Sequence, residues 1–221
     1  MKLKFQEAIS MFKVKEVKEY IRKRLREFEI LGRDGEVIFD FNPFLNLKIR
    51  STPKLELAFC ISVANEKALN GLKFQSSISE EELKDETKVR KKLKLAGIRF
   101  FNTKSKYISS AVKHFDEVIR FLDKDEIEAR EFLVKNIKGL GFKEASHFLR
   151  NLGKKNLAIL DRHILRFLER EKIIKNSPKN LTRRKYFELE SILKEIAKDR
   201  KMSPAELDLH IWYRETKMIL K

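Results

Sequence analysis

Apolar residues recur three or four positions apart along almost the whole chain, and this spacing limits the possible fold more than any other feature of the sequence. Such a period places apolar side chains on one face of an α-helix. Only seven glycines and four prolines are present, which leaves few residues for the turns that a β-protein needs. The sequence therefore predicts an all-α fold. The first predicted helix contains the series Val14, Val17, Ile21, Leu25 and Phe28.

The helical pattern predicts about nine helices, which a chain of 221 residues can arrange as two lobes of one domain spanning residues 1–221. Two helix starts carry capping signals. Ser79 and Glu82 have the spacing of a capping box, and Ser203-Pro204 followed by Glu206 combines a cap, a first-turn proline and a capping glutamate. The apolar faces of the second and fourth helices contain Leu57, Ile61 and Ala64, and Tyr107, Ile108, Ala111, Val112 and Phe115, respectively.

The helical pattern breaks between residues 31 and 53, where glycines and prolines interrupt it. Residues 37–41 combine β-branched and aromatic side chains in a short apolar run, which favours an extended segment. We expect a loop or a small hairpin that joins the first helix to the rest of the protein, with the second helix beginning after Pro53.

The chain carries 50 Lys and Arg residues against 33 Asp and Glu residues, so its formal net charge is +17. Such an excess is typical of proteins that bind nucleic acids, because each lysine or arginine placed on a phosphate releases counterions. The alternative is a Lys- and Glu-rich surface of the kind found in heat-stable proteins, although it would not by itself leave so many positive charges over. The charge alone does not indicate whether the protein catalyses a reaction, or which one.

The sequence excludes several classes of protein. No apolar run reaches the roughly 18 residues of a membrane span, and the start MKLKFQEAIS lacks the apolar core of a signal peptide, so we expect a soluble, intracellular protein. The single cysteine, Cys60, excludes a disulfide framework and any iron–sulfur cluster held by four cysteines. No group of His, Cys, Asp and Glu residues has the spacing of metal ligands, so we expect no metal and no other cofactor.

Residues 129–152, AREFLVKNIKGLGFKEASHFLRNL, predict two helices joined by a tight hairpin. Gly139 and Gly141 allow a sharp turn and leave no side chain in the way of an approaching group. The second helix begins with free N–H groups and the positive end of its dipole, which suit a DNA phosphate. An ordinary corner between two helices is the alternative interpretation of so short a motif.

Lys143 lies in the first turn after this hairpin, where the helix dipole opposes its charge. The dipole, together with partial burial, favours the neutral amine, which is the nucleophilic form. Asp161 follows eighteen residues later, between an apolar run and a predicted helix. A solvated lysine and a helix N-cap are the ordinary structural roles of these two residues. An amine and a carboxylate that converge beside a phosphate-binding hairpin instead suggest attack on a sugar carbon, with stabilisation of positive charge.

The run KGLGFKEASHFLRNLGKKNLAILDRHIL closely resembles the helix–hairpin–helix DNA glycosylases, and within them the archaeal-type 8-oxoguanine DNA glycosylase/AP lyases. The resemblance extends from about Leu55 to Lys221. It implies a two-lobed helical fold without an iron–sulfur cluster, in which Lys143 attacks the sugar and forms a Schiff base while Asp161 assists. It also implies an enzyme that removes 8-oxoguanine from duplex DNA and then nicks the strand by β-elimination.

The resemblance further implies a pocket for the extruded base. Trp212 and Phe100 would stack on its two faces, with the adjacent Phe101 as the alternative to Phe100. Asp208 lies one helical turn before Trp212 on the same face, and the terminal carboxylate of Lys221 would contact the damaged base. From the residues alone, a core anchor and a frayed tail are the ordinary roles of Trp212 and Lys221.

The residues expected to contact DNA are Lys138, Gly139 and Gly141 in the hairpin, Asn65 as a wedge in the gap left by the flipped base, and His163 at a phosphate. A purely structural role is the alternative for His163. The expected partner is double-stranded DNA containing 8-oxoguanine or abasic sites, bound by a monomer in the cytoplasm of a prokaryote, at the nucleoid. A glycosylase for another damaged base and a non-catalytic hairpin module that only binds DNA are the alternative functions.

Overall fold

The computed structural model of the protein describes residues 14–178 and 180–221. This part of the chain is almost entirely helical, as the periodicity predicts. Its eleven α-helices are α1 (Val14–Asp34), α2 (Pro53–Ser62), α3 (Ala68–Ser77), α4 (Glu86–Leu95), α5 (Phe101–Lys113), α6 (Phe115–Leu122), α7 (Glu126–Asn136), α8 (Phe142–Asn151), α9 (Arg162–Arg170), α10 (Arg183–Asp199) and α11 (Pro204–Thr216). One 3₁₀ turn, Glu81–Lys84, and two short strands, β1 (Val37–Asp40) and β2 (Lys48–Ser51), are also present. None of the described helices is long and apolar enough to span a membrane.

Helix α1 presents the predicted apolar face to the interior. Val17, Ile21 and Phe28 are buried, whereas Leu25 is half-buried. The side chain of Val14 and the segment MKLKFQEAIS lie outside the described residues. The face forms because residues three and four apart point the same way on a helix, and burial of each large apolar side chain contributes about 2 kcal/mol.

The segment between α1 and α2 forms the small hairpin that the break in the pattern predicts. Strands β1 and β2 are antiparallel, with Val37 opposite Ser51. The hairpin packs on α1, where the guanidinium of Arg24 lies 4.4 Å from the ring centre of Phe41 and donates a hydrogen bond to the main-chain carbonyl of Asp40. These contacts attach the hairpin to the first helix.

The periodicity does not predict helices α3 and α6. Helix α3 contains Gly71, where a Cβ atom would lie 2.2 Å from the side chain of Val63 and 2.9 Å from the ring of Phe59. The close packing of α3 therefore depends on a glycine, and a glycine does not contribute to the apolar spacing from which helices are predicted. Helix α6 follows α5 after His114 alone, so the apolar pattern runs across the break, and Phe115 belongs to α6 rather than to α5.

Two further boundaries differ from the prediction. Helix α2 ends at Ser62, so Ala64 lies in the loop that follows. Ser79 and Glu82 do exchange the two hydrogen bonds of a capping box, at 3.0 and 3.4 Å. They cap the 3₁₀ turn instead of an α-helix, because the chain turns again at Asp85, whose side chain caps α4.

Helix α11 begins where the sequence predicts and contributes to two separate cores. Oγ of Ser203 accepts a hydrogen bond from the N–H of Glu206 at 3.1 Å. Leu209 packs in the larger core, with α1, the hairpin and α2–α8, whereas Leu207 and Ile211 pack in the smaller core, with α9 and α10. The two cores correspond to the predicted lobes. The interpretation of both lobes as one domain over residues 1–221 stays a prediction.

A buried ion pair connects the two cores. Arg130 of α7 donates to both carboxylate oxygens of Glu190 on α10, at 2.6 and 2.9 Å, and Glu190 also accepts from the N–H of Ala158 at 2.9 Å. Removal of one partner of such a pair costs about 3–5 kcal/mol, because the other charge stays buried. The pair therefore fixes the run 157–160, which leads directly to Asp161.

Candidate active site

The predicted hairpin is present between α7 and α8. Gly139 adopts φ +93°, and a Cβ atom there would lie 2.9 Å from the ring of Tyr107, so only glycine fits without strain. Leu140 is buried and anchors the turn, while Lys138 is exposed. Gly141 is the N-cap of α8 and provides no side-chain cap, so the first N–H groups of the helix are available to an anion.

A cleft of about 500 Å³ lies beside this hairpin and between the two cores. The side chains of Lys143 and Asp161 both line it, and so do Asp208, Trp212 and Lys221. These residues come from α8, from the start of α9, from α11 and from the segment that follows α11. Folding thus brings the two predicted catalytic residues and three of the four predicted base-binding residues to one cavity.

Lys143 and Asp161 occupy the starts of two helices. Lys143 is the second residue of α8; its side chain is 24% exposed, and Nζ lies 3.3 Å from Oε1 of Glu144. Asp161 is the N-cap of α9, where Oδ1 accepts hydrogen bonds from the N–H groups of His163 at 2.8 Å and Ile164 at 2.9 Å. The predicted capping role of Asp161 is confirmed, and the same residue lines the cleft that contains Lys143.

Asp208 and Trp212 form one wall of the cleft, one helical turn apart on α11. A carboxylate oxygen of Asp208 lies 3.1 Å from the guanidinium of Arg150. Burial nevertheless raises the pKa of Asp208 to about 7; Arg150 opposes this shift, and the negative charge of Asp161 adds to it. Trp212 is half-buried, and its ring meets that of His163 edge-on, with ring centres 4.8 Å apart. This wall combines an aromatic surface with a carboxyl group that changes its charge near neutral pH.

Lys221 is anchored and buried, so the interpretation as a frayed tail is wrong. Nζ of Lys221 lies 2.6 Å from Oε2 of Glu56 and donates to Oε1 of Gln75 at 2.5 Å. Both members of the ion pair are fully buried. Glu56 also accepts hydrogen bonds from Ser51 at 3.0 Å and from Asn151 at 2.6 Å. The network of Ser51, Glu56, Gln75, Asn151 and Lys221 therefore fixes the position of Lys221 beside the cleft.

Phe100 and Asn65 both adopt the left-handed conformation, with φ +57° and +53°. Asn65 lines the cleft, whereas Phe100 lies outside it with its side chain 66% exposed. Phe101 is half-buried against the larger core, so Phe100 is the member of the pair that faces outward. Arg99 joins the two segments, because its main-chain N–H donates to Oε2 of Glu66 at 2.8 Å and its guanidinium donates to the carbonyl of Asn65.

The described residues contain no cluster of three His, Cys, Asp or Glu side chains that could hold a metal ion. Cys60 lies buried in α2, and burial raises the pKa of its thiol well above the usual value. The thiolate, which is the reactive and metal-binding form, is disfavoured there. Cys60 is therefore a core residue.

A known protein family matches most of the chain. A family model described as 8-oxoguanine DNA glycosylase matches residues 36–202. The chain belongs to this glycosylase family. Curated relatives named 8-oxoguanine DNA glycosylase/AP lyase include a protein of Aquifex aeolicus, 41% identical over 94% of this chain and 96% of the relative. A protein of Methanocaldococcus jannaschii with the same name is 40% identical over 96% of this chain and 97% of the relative.

Solved structures of 8-oxoguanine DNA glycosylases share the fold. The crystal structure of the Thermotoga maritima enzyme has a TM-score of 0.82 and 33% identity, and the match covers 94% of both chains. The M. jannaschii glycosylase/lyase, solved in complex with a 15mer DNA containing 8-oxoguanine, has a TM-score of 0.79 and 40% identity over 93% of this chain and 94% of that one. The predicted two-lobed helical glycosylase fold is confirmed.

Sequence reasoning missed several polar residues that line this glycosylase cleft, among them His147, Arg150 and Glu66. His147 and Arg150 lie on α8, one and two turns after Lys143, so helical spacing counted from Lys143 is the signal that finds them. Glu66 lies in the loop after α2, and its side chain is only 5% exposed. A loop position carries no periodic signal, so no pattern in the sequence identifies Glu66.

Proposed function

We propose that this chain removes 8-oxoguanine from duplex DNA through a Schiff base on Lys143 and nicks the resulting abasic strand by β-elimination. It is a DNA glycosylase with AP lyase activity. The proposal is based on one observation: Lys143 and Asp161 line the same cleft, directly beside the uncapped start of α8. Relatives of matching length that carry the name 8-oxoguanine DNA glycosylase/AP lyase support this choice of substrate.

The DNA backbone binds at the hairpin. Lys138, Gly139 and the first N–H groups after Gly141 contact a phosphate, which the positive end of the α8 dipole favours. Asn65 reaches from its loop into the gap that the flipped base leaves. His163 contacts a phosphate next to the lesion, from its position at the start of α9. Most of the affinity for undamaged DNA comes from such backbone contacts, because they do not depend on sequence.

The extruded base occupies the cleft, whose volume of about 500 Å³ lies in the range of small-molecule sites. Trp212 stacks on one face of the base, as aromatic side chains do in enzymes that flip bases. Phe100 reaches the other face after its segment turns toward the base, since it lies outside the cleft in this structure. Asp208 and the main chain of Lys221 contact polar edges of the base.

The chemical step uses Lys143 as a neutral amine, so its ammonium group must first lose a proton and its pairing with Glu144. Nζ of Lys143 then attacks C1′ of the deoxyribose, and the bond between C1′ and the base breaks so that the base leaves with that electron pair. Asp161 stabilises the positive charge that develops on the sugar. The C1′–O4′ bond then breaks and O4′ takes up a proton, so the sugar ring opens and C1′ and Nζ form an imine. Loss of a C2′ proton breaks the C3′–O bond and releases the 3′ phosphate.

Borohydride trapping tests this mechanism, because it reduces the imine to a stable covalent bond between enzyme and DNA. We expect the unaltered protein to form a trapped complex on duplex DNA containing 8-oxoguanine, and Lys143→Gln to form none. Lys135→Gln, which removes an exposed lysine at the end of α7, is the matched control and should trap as well as the unaltered protein. A trapped complex with Lys143→Gln would overturn the assignment of the nucleophile.

A panel of lesions tests the substrate. We expect excision of 8-oxoguanine to exceed that of thymine glycol, uracil and alkylated purines, and faster release of any of these would assign another substrate. DNA binding without any turnover on the panel would make the protein a non-catalytic module. In the cell, we expect the enzyme at the nucleoid, where a prokaryote holds its chromosomal DNA.

A further inference from the structure

His147 is a buried polar residue of the cleft to which the mechanism gives no part. It lies on α8 one helical turn after Lys143, is 8% exposed, and lines the cleft together with Trp212 and Lys221. Apart from an interaction with the main chain of Lys221, the ring nitrogens of His147 have no hydrogen-bond partner within the part of the chain that the structure describes. More than nine in ten buried polar groups in proteins have a partner, so the second ring nitrogen, which has none among the described residues, is available to a ligand in the cleft.

The charge state of His147 defines what that partner can be. Burial lowers the pKa of His147 far below its ordinary value, and the positive charges of Arg150, Lys143 and Lys221 act in the same direction. The ring is therefore neutral, with one nitrogen that donates a hydrogen bond and one that only accepts. A phosphate only accepts hydrogen bonds, so it can pair with the donating nitrogen alone. A neutral heterocycle with polar edges fits the neutral ring.

The surroundings of His147 leave it one direction for such a contact. The ring of Phe59 meets it edge-on, with ring centres 5.8 Å apart and planes at 81°, and closes the side toward the core. The main chain of Lys221 interacts with one ring nitrogen on another side. The cleft forms the remaining side, where Trp212 provides the stacking surface for the extruded base.

We infer that His147 is a base-recognition residue, whose neutral imidazole hydrogen-bonds a polar edge of the base extruded into the cleft. This inference rests on the proposed function, because it takes the cleft to be the base pocket. The inference predicts an effect of His147 on only one of the two reactions of the enzyme. Excision involves the base, whereas strand cleavage at a preformed abasic site does not, so His147 matters for the first reaction and not for the second.

The test compares these two reactions under single-turnover conditions in His147→Phe, which keeps a ring but removes both nitrogens. We expect excision of 8-oxoguanine to fall about 10- to 100-fold, the usual effect of one buried hydrogen bond lost from the transition state, while cleavage of abasic DNA changes less than about twofold. His147→Asn, which retains a donor and an acceptor, should recover part of the excision rate. Equal losses in both reactions, or no loss in either, would overturn the inference.

His210→Phe is the matched control, because His210 is a half-buried histidine of α11 that does not line the cleft. It should leave both rates unchanged. If the unaltered protein does not excise 8-oxoguanine, the proposed function fails, whereas a failure of the inference leaves that activity intact.

A second measurement keeps His147 itself unaltered, so it does not depend on how the His147 variants fold. With ¹⁵N-labelled histidine in Lys143→Gln, a ring nitrogen of His147 should change its chemical shift on DNA containing 8-oxoguanine. It should not do so on the same duplex with a tetrahydrofuran abasic analogue. Identical ring shifts in the two complexes would overturn the inference.

Discussion

The fully buried ion pair between Lys221 and Glu56 permits a quantitative test of how the end of the described chain is held. Nζ of Lys221 lies 2.6 Å from Oε2 of Glu56, and 4.4 and 4.3 Å from the ring centres of Phe39 and Phe59. Burial lowers the pKa of Lys221, and Glu56 opposes this shift. The substitution Lys221→Met keeps an unbranched apolar side chain between the two rings and removes only the charge and its hydrogen bonds.

The expected cost follows from what remains around Glu56. Loss of one partner from a buried pair costs about 3–5 kcal/mol, because the other charge is left uncompensated. Ser51, Gln75 and Asn151 still donate to the carboxylate, at 3.0, 3.1 and 2.6 Å, which places the cost of Lys221→Met at the lower end, about 3 kcal/mol. In a protein of this size, such a loss lowers Tm by about 6–12 °C.

Urea unfolding followed by circular dichroism measures this free energy. The double variant Lys221→Met/Glu56→Gln removes the uncompensated charge as well, and should recover about half of the lost stability. Lys113→Met, at an exposed position in the last turn of α5, is the matched control and should change the unfolding free energy by less than about 0.5 kcal/mol. A loss below about 1 kcal/mol for Lys221→Met would refute the argument, and so would a double variant less stable than the single one.

Four further substitutions separate structural from chemical roles. Asp161→Asn keeps a good N-cap but removes the charge, so we expect the unfolding free energy to change by less than about 0.5 kcal/mol while single-turnover excision falls about 100-fold or more. Gly139→Ala should lose about 1–3 kcal/mol in urea unfolding, because of its positive φ and the contact with Tyr107, whereas Gly141→Ala, at an ordinary φ of −87°, should lose less. Because burial raises the pKa of Asp208 to about 7, the folded protein keeps a proton that the unfolded chain releases near its ordinary value of 3.8. The free energy of unfolding should therefore decrease as the pH rises from about 4 to about 7, and Asp208→Asn should flatten this part of the profile.

Local hydrogen bonds explain why some elements could be predicted from the sequence. The caps at Asp161 and Ser203 depend on residues two or three positions away, so the sequence alone identifies them. The hairpin around Gly139 is also local, because the turn itself requires the positive φ. The candidate site was predictable to the extent that Lys143 and Asp161 lie next to such local features.

Contacts between distant segments explain what the sequence could not show. Lys221 and Glu56 are 165 positions apart, and neither residue lies in a pattern that points to the other. Phe100 and Phe101 are equally apolar, and only the left-handed backbone at Phe100 turns it outward while Phe101 packs on the core. His147 has no motif of its own, since its significance comes from the cleft that several other segments complete around α8.

The positive charge of the chain and the selectivity of the cleft have different sources. Three of the cationic groups that line the cleft have acidic neighbours: Lys143 with Glu144 at 3.3 Å, Arg150 with Asp208 at 3.1 Å, and Lys221 with Glu56 at 2.6 Å. Only five lysines and arginines line the cleft, so the excess of +17 is carried mainly by residues outside it, where it strengthens binding to any duplex and makes that binding depend on salt. Discrimination between bases then rests on aromatic surface and neutral hydrogen-bonding groups. Salt in solution screens these interactions far less than it screens contacts with phosphates.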